Sequence, residues 1–385
     1  MLSRLARRGW KVVYSPGPIS WWERGSPSWA NASLFGSFHD RETVSVYVEG
    51  RFPFRLPSRP RWDRWVVERH ARQVSAVAGS DAAIVCLCHP SLWPIAARLR
   101  PRWLVYYPYD NFSKEDGWSE ALALDEQSVL DRADLVVVPT APIANRLNGV
   151  SERRVRVLPN GVDYETVAGA QASPCPAVLA SIPRPRIAYT GVLNRKLDFV
   201  LVEAIAKHRP DWHWVFVGPQ LGRPPRNAPP MGRHAAQEEA WRRCESFPNV
   251  HMVGELPVAQ VHAGLHHMDV NVICNRSDEG WWEDAYPLKF HEYLAAGKPV
   301  VSTRVASIAH FAGVAEFVVG VDAWIDGLTR AIARGGVGTA TERRAVARAN
   351  DWDARVDTLE SWLKGLIAMP ERRVFAQEEA CSSLQ

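Results

Sequence analysis

The alternation of short apolar runs with helical segments is the feature of this 385-residue sequence that most restricts its fold. The helical segments of the first half, of which the longest are residues 61–77 and 118–133, separate apolar runs at residues 43–48, 82–88, 103–107, 135–138 and 155–158. The same alternation begins again at residue 186. Strands that alternate with helices form parallel sheets with helices on both faces. The sequence therefore predicts an α/β protein whose ligands bind beyond the carboxyl ends of the strands.

Residues 280–303 contain the strongest candidate for a binding site. Tyr286 precedes a proline and suits an N-cap, Pro287 suits the first helical position, and Gly297 suits the residue beyond the helix. We predict a helix over residues 287–296, whose N-terminal N–H groups and dipole can bind an anion. Lys289 and Glu292 share a face of it, so a cation for phosphate lies beside a carboxylate for hydroxyls. This set fits a sugar nucleotide, but many solvated helices have the same start and stop signals.

The run from Pro287 to Val301 resembles the donor-site signature of the GT-B glycosyltransferases, especially the family-4-like bacterial enzymes. The resemblance implies two Rossmann-like, doubly wound domains that face each other across a cleft. Glu292 matches the family's second donor-site Glu, which binds the nucleotide ribose, and Lys289 matches a position that contacts the donor phosphates. At the position of the family's first Glu this sequence has Asp284, with Glu283 beside it. The resemblance implies that one of these two acids orients the donor sugar.

The same resemblance extends the donor site to other loops. Gly191 ends the predicted strand at residues 186–191 and allows a ligand to approach the backbone closely. Arg195 or Lys196 matches the basic residue of the family's donor loop, and the sequence does not say which of the two binds the diphosphate. Leu256 lies in the turn that meets the nucleotide base in the family. Tyr286 and Leu288, at the start of the predicted helix, complete the expected donor site.

Residues 106–113 follow a predicted strand and resemble the family segment that lines the cleft on the acceptor side. Asp110 is the candidate for a general base or for a carboxylate that orients the acceptor. An Asp that caps a turn explains the same residue equally well. Tyr109 and His89 are further acceptor-side candidates, although a lone histidine more often has a structural role.

The motifs divide the chain into five parts. We expect an acceptor-binding domain (1–165), a linker (166–185), a donor-binding domain (186–349), a C-terminal helix that crosses back to the first domain (350–369) and a disordered tail (370–385). GT-B chains usually begin with a strand and a glycine-bearing loop. Residues 7–13 resemble the helix end and second strand of that pattern. The first strand is therefore expected to be missing from the acceptor-binding domain.

Composition and motif spacing give no sign of a metal or a cofactor. The six cysteines are scattered without paired ligand spacing. His262, His266 and His267 have no acidic partner at a useful spacing, so we interpret them as a surface face of a helix. In the family, a helix dipole and basic residues stabilise the leaving diphosphate. The expected co-substrate is thus a nucleotide diphosphate sugar, with no metal.

Charge and hydropathy bear on the partners and the location of the protein. A net charge of +4 does not indicate nucleic acid binding. The sequence has neither an apolar run of roughly 18 residues nor the apolar core of a signal peptide. These features favour a cytoplasmic protein.

Residues 51–72 are rich in arginine and aromatic residues. Their basic and aromatic members are Arg51, Phe52, Phe54, Arg55, Arg59, Arg61, Trp62, Arg64, Trp65, Arg69 and Arg72. A basic aromatic face can rest on an anionic membrane or bind a phosphorylated lipid acceptor. A solvated helix face is the alternative, and the sequence slightly favours it. On the first interpretation the protein is peripheral on the inner face of the membrane and uses a lipid-linked acceptor.

Together these features predict a glycosyltransferase that moves a hexosyl group from a nucleotide diphosphate sugar to an acceptor hydroxyl. The acceptor class is left open between a glycan, a lipid-linked molecule and a small molecule, and retention is slightly favoured over inversion. One alternative is a nucleotide-sugar epimerase, which would turn over the donor without an acceptor. The other is a non-catalytic GT-B subunit, to which the missing strand and the altered first acid point.

Overall fold

The computed structural model describes residues 1–41, 43–79, 84–115, 117–147, 155–221, 234–277 and 280–369. The chain divides into two compact units. The first unit is Met1–Leu158 together with the chain from Val356 onward, and the second is Pro159–Arg355. The tail that we expect to be disordered lies outside the described residues, as do residues 82 and 83 of one predicted strand.

The first unit contains two sheets. Its strands are β1 (Val12–Tyr14), β2 (Ser37–Arg41), β3 (Val44–Val48), β4 (Ile84–Leu87), β5 (Trp103–Tyr106), β6 (Leu135–Val138) and β7 (Val155–Val157). The smaller sheet has the order β1-β3-β2, and the larger, all-parallel sheet has the order β4-β5-β6-β7. β2 is not evident from hydrophobic periodicity, because it is an antiparallel edge strand whose residues are mostly exposed and polar.

Helices cover both faces of the larger sheet, as the alternating pattern predicts. The helices of the first unit are α1 (Leu2–Arg7), α2 (Pro27–Asn31), α3 (Pro60–Ala78), α4 (Trp93–Leu99), α5 (Glu120–Arg132) and α6 (Ala141–Leu147). Leu104 and Tyr106 of β5 pack with Val129 of α5 on one face. Trp103 and Val105 pack with the end of the chain on the other. Successive residues of one strand therefore supply two separate cores.

The second unit is built on one six-stranded parallel sheet. Its strands are β8 (Arg186–Thr190), β9 (His213–Val217), β10 (Val250–Gly254), β11 (Val270–Ile273), β12 (Val300–Thr303) and β13 (Glu316–Val318). The order β10-β9-β8-β11-β12-β13 is the doubly wound order of a Rossmann fold, which confirms the predicted fold class for this unit. The order reverses between β8 and β11, and ligands bind beyond the carboxyl ends of the strands at such a point.

The helices of the second unit pack on both faces of this sheet. They are α7 (Tyr164–Gly169), α8 (Ala177–Ala180), α9 (Phe199–His208), α10 (Ala235–Cys244), α11 (Val258–His266), α12 (Leu288–Ala295), α13 (Val321–Arg334) and α14 (Ala340–Ala349), followed by α15 (Trp352–Ile367), which ends in the first unit. One core contains Ile187, Trp214 and Leu328, and the other contains Phe290, Tyr293 and Val300. No helix among the described residues is long and apolar enough to cross a membrane.

The observed boundary between the units precedes the one that we expect from the sequence. The N–H of Val162 donates to the carbonyl of Asn350 at 3.1 Å, and the N–H of Trp352 donates to the carbonyl of Val162 at 2.9 Å. Tyr164 is buried in a core of the second unit. Residues 159–165 therefore belong to the second unit, because their backbone pairs with a segment nearly two hundred residues further along the chain. The Asn160-Gly161 pair predicts a turn, but it does not predict that the next residue pairs with the segment at residues 350–352.

The expected linker is also part of the second unit. It contains the end of α7 and all of α8, and Val167 and Leu179 are buried in two of the unit's cores. Its Ala, Pro and Ser content suggests a linker because small residues give no amphipathic period. Their small side chains also let the backbone pack closely.

Helix α15 matches the expected C-terminal helix within two residues at each end. From Val356 onward it belongs to the first unit. There Leu359 and Leu363 pack in the same core as Trp103 of β5. Arg8 and Trp10 donate hydrogen bonds to Glu360 at 3.0 and 3.1 Å, which ties the helix to the start of the chain.

Candidate functional site

Two glycines shape the carboxyl edge of the second sheet. Gly191 follows β8 with a φ of +127°, and Gly218 follows β9 with a φ of +143°. The N–H of Gly191 donates to Val217 at 2.9 Å. A Cβ on Gly218 would lie 2.1 Å from the carbonyl oxygen of Gly191, which is far inside van der Waals contact. Only glycine fits here, so the two loops pack backbone against backbone beside the point where the strand order reverses.

Lys289 reaches this edge from the first turn of α12. Its Nζ donates a hydrogen bond of 2.6 Å to the hydroxyl of Tyr189 in β8. A Cβ placed on Gly191 would lie 3.0 Å from the same Nζ. Burial of the amine lowers the pKa of Lys289 to about 8. Among the described residues no carboxylate lies within ion-pair distance of it, so a desolvated cation faces the glycine loop with a tyrosine as its partner.

The N-terminus of α12 adds a second positive element. The helix begins at Leu288, after an N-cap Pro287 in extended conformation with ψ 115°, and no side chain caps it. The sequence predicts Pro287 as the first helical residue and Tyr286 as the N-cap, which is wrong by one residue because Pro287 does not take a helical ψ. Leu288 is 52% exposed. The free N–H groups of this turn leave the dipole available to an anion.

Tyr286 faces the protein interior. Its hydroxyl bonds to Nε2 of His291 at 2.8 Å, and its side chain is buried in the core around Phe290. Tyr286 directly precedes the N-cap Pro287, but its hydroxyl, which a ligand would contact, already has a partner. Tyr286 supports the turn through its packing.

Glu292 lies near Lys289, less than one turn further along α12. It is half-buried, and burial raises the pKa of its carboxyl, while the charges of His262 and Lys289 oppose that change. His262 belongs to α11, and its Nδ1 is buried without a hydrogen-bond partner among the described residues. The structure thus brings together the predicted Glu292, Lys289 and Gly191 and adds His262, which the sequence prediction missed.

The interpretation of His262, His266 and His267 as a surface face is wrong. His266 is buried and its Nε2 bonds to the carbonyl of Val167 at 2.8 Å, and His267 bonds to Ser173 at 3.0 Å. Both join α11 to the segment that we expect to be a linker. Within the described ranges, no group of three His, Cys, Asp or Glu residues could hold a metal ion.

The two candidates for the first donor-site acid differ in accessibility. Glu283 ends a short 3₁₀ turn and is exposed. Asp284 is only 5% exposed. The matching position is thus occupied by a buried carboxylate, and the neighbouring Glu283 is the acid that solvent reaches.

The basic loop after Gly191 joins the carboxyl ends of β8 and β11. The carbonyl of Lys196 accepts a hydrogen bond of 3.0 Å from the N–H of Arg276, which follows β11. Arg195 is exposed and Lys196 is half-buried. Arg276 itself is 4% exposed, and its Nη1 lies 3.0 Å from Nδ1 of His234. Its position just after a buried strand at the reversal point is the signal that could have identified it.

Leu256 has apolar surroundings in the structure. It is half-buried and packs against a core cluster that includes Leu179, Val217 and Met268. It follows β10, so it lies on the carboxyl side of the same sheet. The predicted contact with the nucleotide base remains a prediction.

The acceptor-side candidates meet at the carboxyl ends of β4 and β5 in the first unit. The ring of Phe112 lies 4.4 Å from His89 and 5.0 Å from Tyr109, between ring centroids. Nδ1 of His89 bonds to the hydroxyl of Ser91 at 2.7 Å, and burial lowers the pKa of the ring. The carboxylate of Asp110 accepts a hydrogen bond of 2.8 Å from the N–H of Asn111. Asp110 thus caps its own turn, and Tyr109 is 61% exposed.

Two family models match the chain. The model described as Glycosyltransferase Family 4 matches residues 1–166, and the model described as Glycosyl transferases group 1 matches residues 184–334. A protein of Bacillus subtilis (strain 168), named as the teichuronic acid biosynthesis glycosyltransferase TuaH, is 25% identical over 237 residues. That match covers 59% of this chain and 56% of the relative. The chain is therefore similar to little more than half of TuaH.

Solved structures share the fold at low sequence identity. A trehalose-6-phosphate structure from E. coli with bound UDP-2-fluoro glucose has a TM-score of 0.66 at 14% identity and covers 95% of each chain. An α,α-trehalose-phosphate synthase (UDP-forming) from Burkholderia vietnamiensis has a TM-score of 0.66 at 16% identity and covers 95% of this chain and 97% of that one. Anabaena Alr3699/HepE, solved with UDP and glucose, has a TM-score of 0.59 at 15% identity, with coverages of 83% and 86%. These similarities establish the fold and leave the substrate open.

Proposed function

We propose that this chain, which belongs to the GT-B glycosyltransferases, moves a hexosyl group from a nucleotide diphosphate sugar to an acceptor hydroxyl. One observation carries the proposal. Nζ of Lys289 is desolvated, has no carboxylate partner among the described residues, and lies against Gly191 at the open start of α12. A cation in that setting is stabilised by an anionic ligand, and the diphosphate of a donor supplies one.

Three groups bind the diphosphate in this proposal. Lys289 neutralises it directly, the first-turn N–H groups of α12 donate to it, and Arg195 or Lys196 approaches from the loop after Gly191. Negative charge grows on the diphosphate as the glycosidic bond to it breaks. Fixed positive groups at that position stabilise the transition state more than the ground state.

No metal is required in this proposal, because the fixed charges take the place of a divalent ion. Transfer should therefore continue at its full rate in excess chelator. A strict requirement for added Mg²⁺ or Mn²⁺ would contradict this part of the proposal.

Glu292 binds the ribose of the nucleotide. It shares a helix face with Lys289, so a carboxylate for hydroxyl groups stands beside a cation for phosphate. Its raised pKa is consistent with a desolvated group, which forms a stronger hydrogen bond than a solvated one. Leu256 supplies an apolar contact for the base.

The donor sugar meets the acids at residues 283 and 284. Since Glu283 is exposed and Asp284 is buried, we propose that Glu283 contacts the sugar hydroxyls and that Asp284 fixes the loop. Glu283→Gln should then reduce the rate of transfer more than it weakens nucleoside diphosphate binding. The opposite ranking, with only Asp284→Asn affecting transfer, would restore Asp284 as the sugar-binding acid.

On the acceptor side, Asp110 orients the hydroxyl or acts as the base, with Tyr109 and His89 beside it. We propose retention of the anomeric configuration. A solved structure of similar fold concerns a trehalose-6-phosphate synthase that transfers with retention, with a TM-score of 0.66 at 14% identity. Nuclear magnetic resonance of the product distinguishes the two outcomes through the anomeric coupling constant, and Asp110→Asn should abolish transfer if the reaction inverts.

Uridine diphosphate sugars are the first donors to test, because two solved structures of similar fold contain UDP or a UDP sugar. TuaH is named for teichuronic acid biosynthesis, so a growing polysaccharide or glycoconjugate is the first acceptor class to test.

The direct test follows release of nucleoside diphosphate from a panel of nucleotide sugars, with and without candidate acceptors. We expect one donor to be consumed only when an acceptor is present, and Glu292→Gln to weaken binding of that donor. Glu283→Gln is the comparison variant, in which the rate of transfer should fall more than the affinity for the nucleoside diphosphate. Conversion of the donor without an acceptor would instead indicate an epimerase, and tight donor binding without turnover under any condition would indicate a non-catalytic subunit.

A further inference from the structure

The first unit carries an exposed surface of arginine and aromatic side chains that the proposed reaction does not use. We call it the arginine–aromatic face and define it by Phe52, Phe54, Arg59, Arg61, Trp62, Arg64 and Trp65. Its rings form a continuous chain. Trp62 lies 5.5 Å from Phe52, 5.7 Å from Phe54 and 5.1 Å from Trp65, between ring centroids.

The exposed rings are held in place by partly buried ones. Phe54 also contacts Trp21 at 4.8 Å, and Nε1 of Trp62 donates to the carbonyl of Phe54 at 2.8 Å. Phe52 and Trp65 are 43% and 41% exposed. The surface is therefore a supported platform whose outer rings face solvent.

Helix α3 separates this face from the core. Its buried residues are Val66, Val67, His70 and Ala71. Arg61 and Trp65, four residues apart, lie on the side of the helix opposite the buried set, and Arg64, which is also exposed, lies at the edge of that side. Arg61 and Trp65 thus project from the same outward side, and Arg64 adds a second cation at its edge.

Two acids of α3 near this face, Asp63 and Glu68, are already paired. The carboxylate of Asp63 accepts hydrogen bonds from Nε of Arg55 at 2.7 Å and from the N–H of Leu56 at 2.8 Å. Glu68 lies 3.4 Å from Nη1 of Arg98. In contrast, Arg59, Arg61 and Arg64 are exposed and have no carboxylate partner in the described part of the chain. These three arginines therefore give the face positive charge that Asp63 and Glu68 do not neutralise.

A surface cavity opens within the face. It has a volume of about 720 Å³ and is lined by Phe54, Leu56, Arg59, Pro60, Arg61 and Trp62. Its apolar floor lies beside two guanidinium groups. The guanidinium binds phosphate in a bidentate manner, and the indole favours the boundary between apolar and aqueous phases.

From these observations we propose that the arginine–aromatic face docks the protein on a bilayer surface that contains anionic phospholipids. The arginines contact headgroup phosphates while Phe52 and Trp65 enter the interfacial layer. A bilayer accounts for the whole face, since it requires cations and apolar rings on one surface together. A free phosphate would use the arginines but would leave the exposed rings without a role.

This inference goes beyond the proposed function and does not depend on it, because docking on lipid needs no donor or acceptor. Its test uses the full chain and sedimentation with vesicles. One set is phosphatidylcholine with one-third phosphatidylglycerol, and the other is phosphatidylcholine alone. We expect binding to the first set only, with a strong decrease when salt is raised, because surface charges are screened.

The double variant Arg61→Ala with Arg64→Ala should weaken binding to the anionic vesicles by about 25-fold, at about fivefold for each cation near such a surface. Arg61→Lys with Arg64→Lys should retain most of the binding. Trp65→Ala should weaken it at low and at high salt. Arg304→Ala with Arg334→Ala removes two exposed arginines from the second unit and is the matched control. All variants should melt at the wild-type temperature.

Three outcomes would overturn the inference. Equal binding to both vesicle sets would remove the role of anionic lipid. Equal losses of vesicle binding in the Arg61/Arg64 variant and in the control variant would show that binding depends only on the net charge of the protein. Displacement from vesicles by soluble glycerol phosphate would identify a site for a free phosphate instead of a docking surface for the bilayer.

Discussion

At the scale of single residues, the proposed donor site depends most on the charge of Lys289. Its amine is desolvated and contacts the hydroxyl of Tyr189 and the loop at Gly191. Desolvation lowers the pKa of Lys289 to about 8, against an ordinary value of roughly 10.4. The amine is therefore mostly protonated at neutral pH but loses its proton in mildly alkaline solution.

Donor affinity should consequently fall as the pH rises above about 8. A bound diphosphate favours the protonated amine, so binding takes up a proton once the free enzyme has lost it. The expected decrease approaches tenfold for each further pH unit. Calorimetric titration across this range measures it. Lys289→Met should bind more weakly with no such decrease, and an equally steep decrease in that variant would assign the titration to another group.

Glu49 is the second residue whose surroundings allow a specific prediction, which concerns the stability of the fold. It is buried in the first unit and receives hydrogen bonds from Tyr47 at 3.0 Å, Arg69 at 2.7 Å and His70 at 2.9 Å. His70 in turn bonds to the hydroxyl of Ser15 at 3.0 Å. Burial alone would raise the pKa of Glu49, but its hydrogen bonds and the adjacent cations hold it below the usual value.

Glu49→Gln should lower the free energy of unfolding by about 3–5 kcal/mol, because it leaves the charge of Arg69 in a partly buried network without its partner. Because the folded pKa of Glu49 is lowered, its contribution is present above the unfolded pKa and is lost as the pH falls through the folded one. Urea unfolding at neutral and acidic pH measures both effects. Glu239→Gln, which removes an exposed carboxylate from its ion pairs, is the control and should cost less than about 1 kcal/mol. Equal costs for the two variants would contradict the account of Glu49.

At the scale of elements, the loops after β8 and β9 act as one unit. Gly218→Ala would place a Cβ 2.1 Å from the carbonyl of Gly191 and would also strain a φ of +143°. We expect this variant to displace the glycine loop, to lose stability by a few kcal/mol and to lose donor binding. Gly313→Ala is the control, because its Cβ would meet no atom within 4 Å. A Gly218→Ala variant with normal donor affinity would show that the loop contact does not shape the site.

Element prediction succeeded where a local signal was strong. The start of α12 is wrong by one residue only, because Pro287 marks the helix start but can occupy either of two positions. β2 shows no hydrophobic periodicity, because it is an exposed edge strand. α7 and α8 show no amphipathic periodicity, because many of their residues are small. In each case the local structure depends on packing against a segment that is distant in the sequence, and a short stretch of sequence does not show which segment that is.

The same limit applies to the site. The placement of Lys289, Glu292 and Gly191 was predictable, because it follows from a helix start, a helix face and a strand end. The contact of Lys289 with Tyr189 and the approach of His262 to Glu292 were not, since they join elements that are distant in sequence. The burial of Asp284 beside an exposed Glu283 likewise depends on packing that spacing does not encode.

At the scale of the whole molecule, α15 links the stability of the first unit to the end of the chain. Leu359 and Leu363 are buried with Trp103 and Val105 of β5. Leu359→Ala should cost about 2–5 kcal/mol by leaving a cavity in this core. Hydrogen exchange should show the loss in β5 and not in β8, and Ile367→Ala, at a 37% exposed position, should have little effect. Equal loss of protection in β8 would show that the two units unfold together.

The measurement that tests the central claim most directly is calorimetric titration of the whole chain with nucleoside diphosphates and nucleotide sugars, on wild type, Lys289→Ala and Lys298→Ala. Lys298 is the matched control, because it is a half-buried lysine just beyond the C-terminal end of the same helix. We expect one nucleotide class to bind to wild type and to Lys298→Ala, and to bind at least tenfold more weakly to Lys289→Ala, since a charge-assisted contact is worth about 1.5–3 kcal/mol. Unchanged affinity in Lys289→Ala, or no binding of any nucleotide to wild type, would contradict the assignment of the donor site.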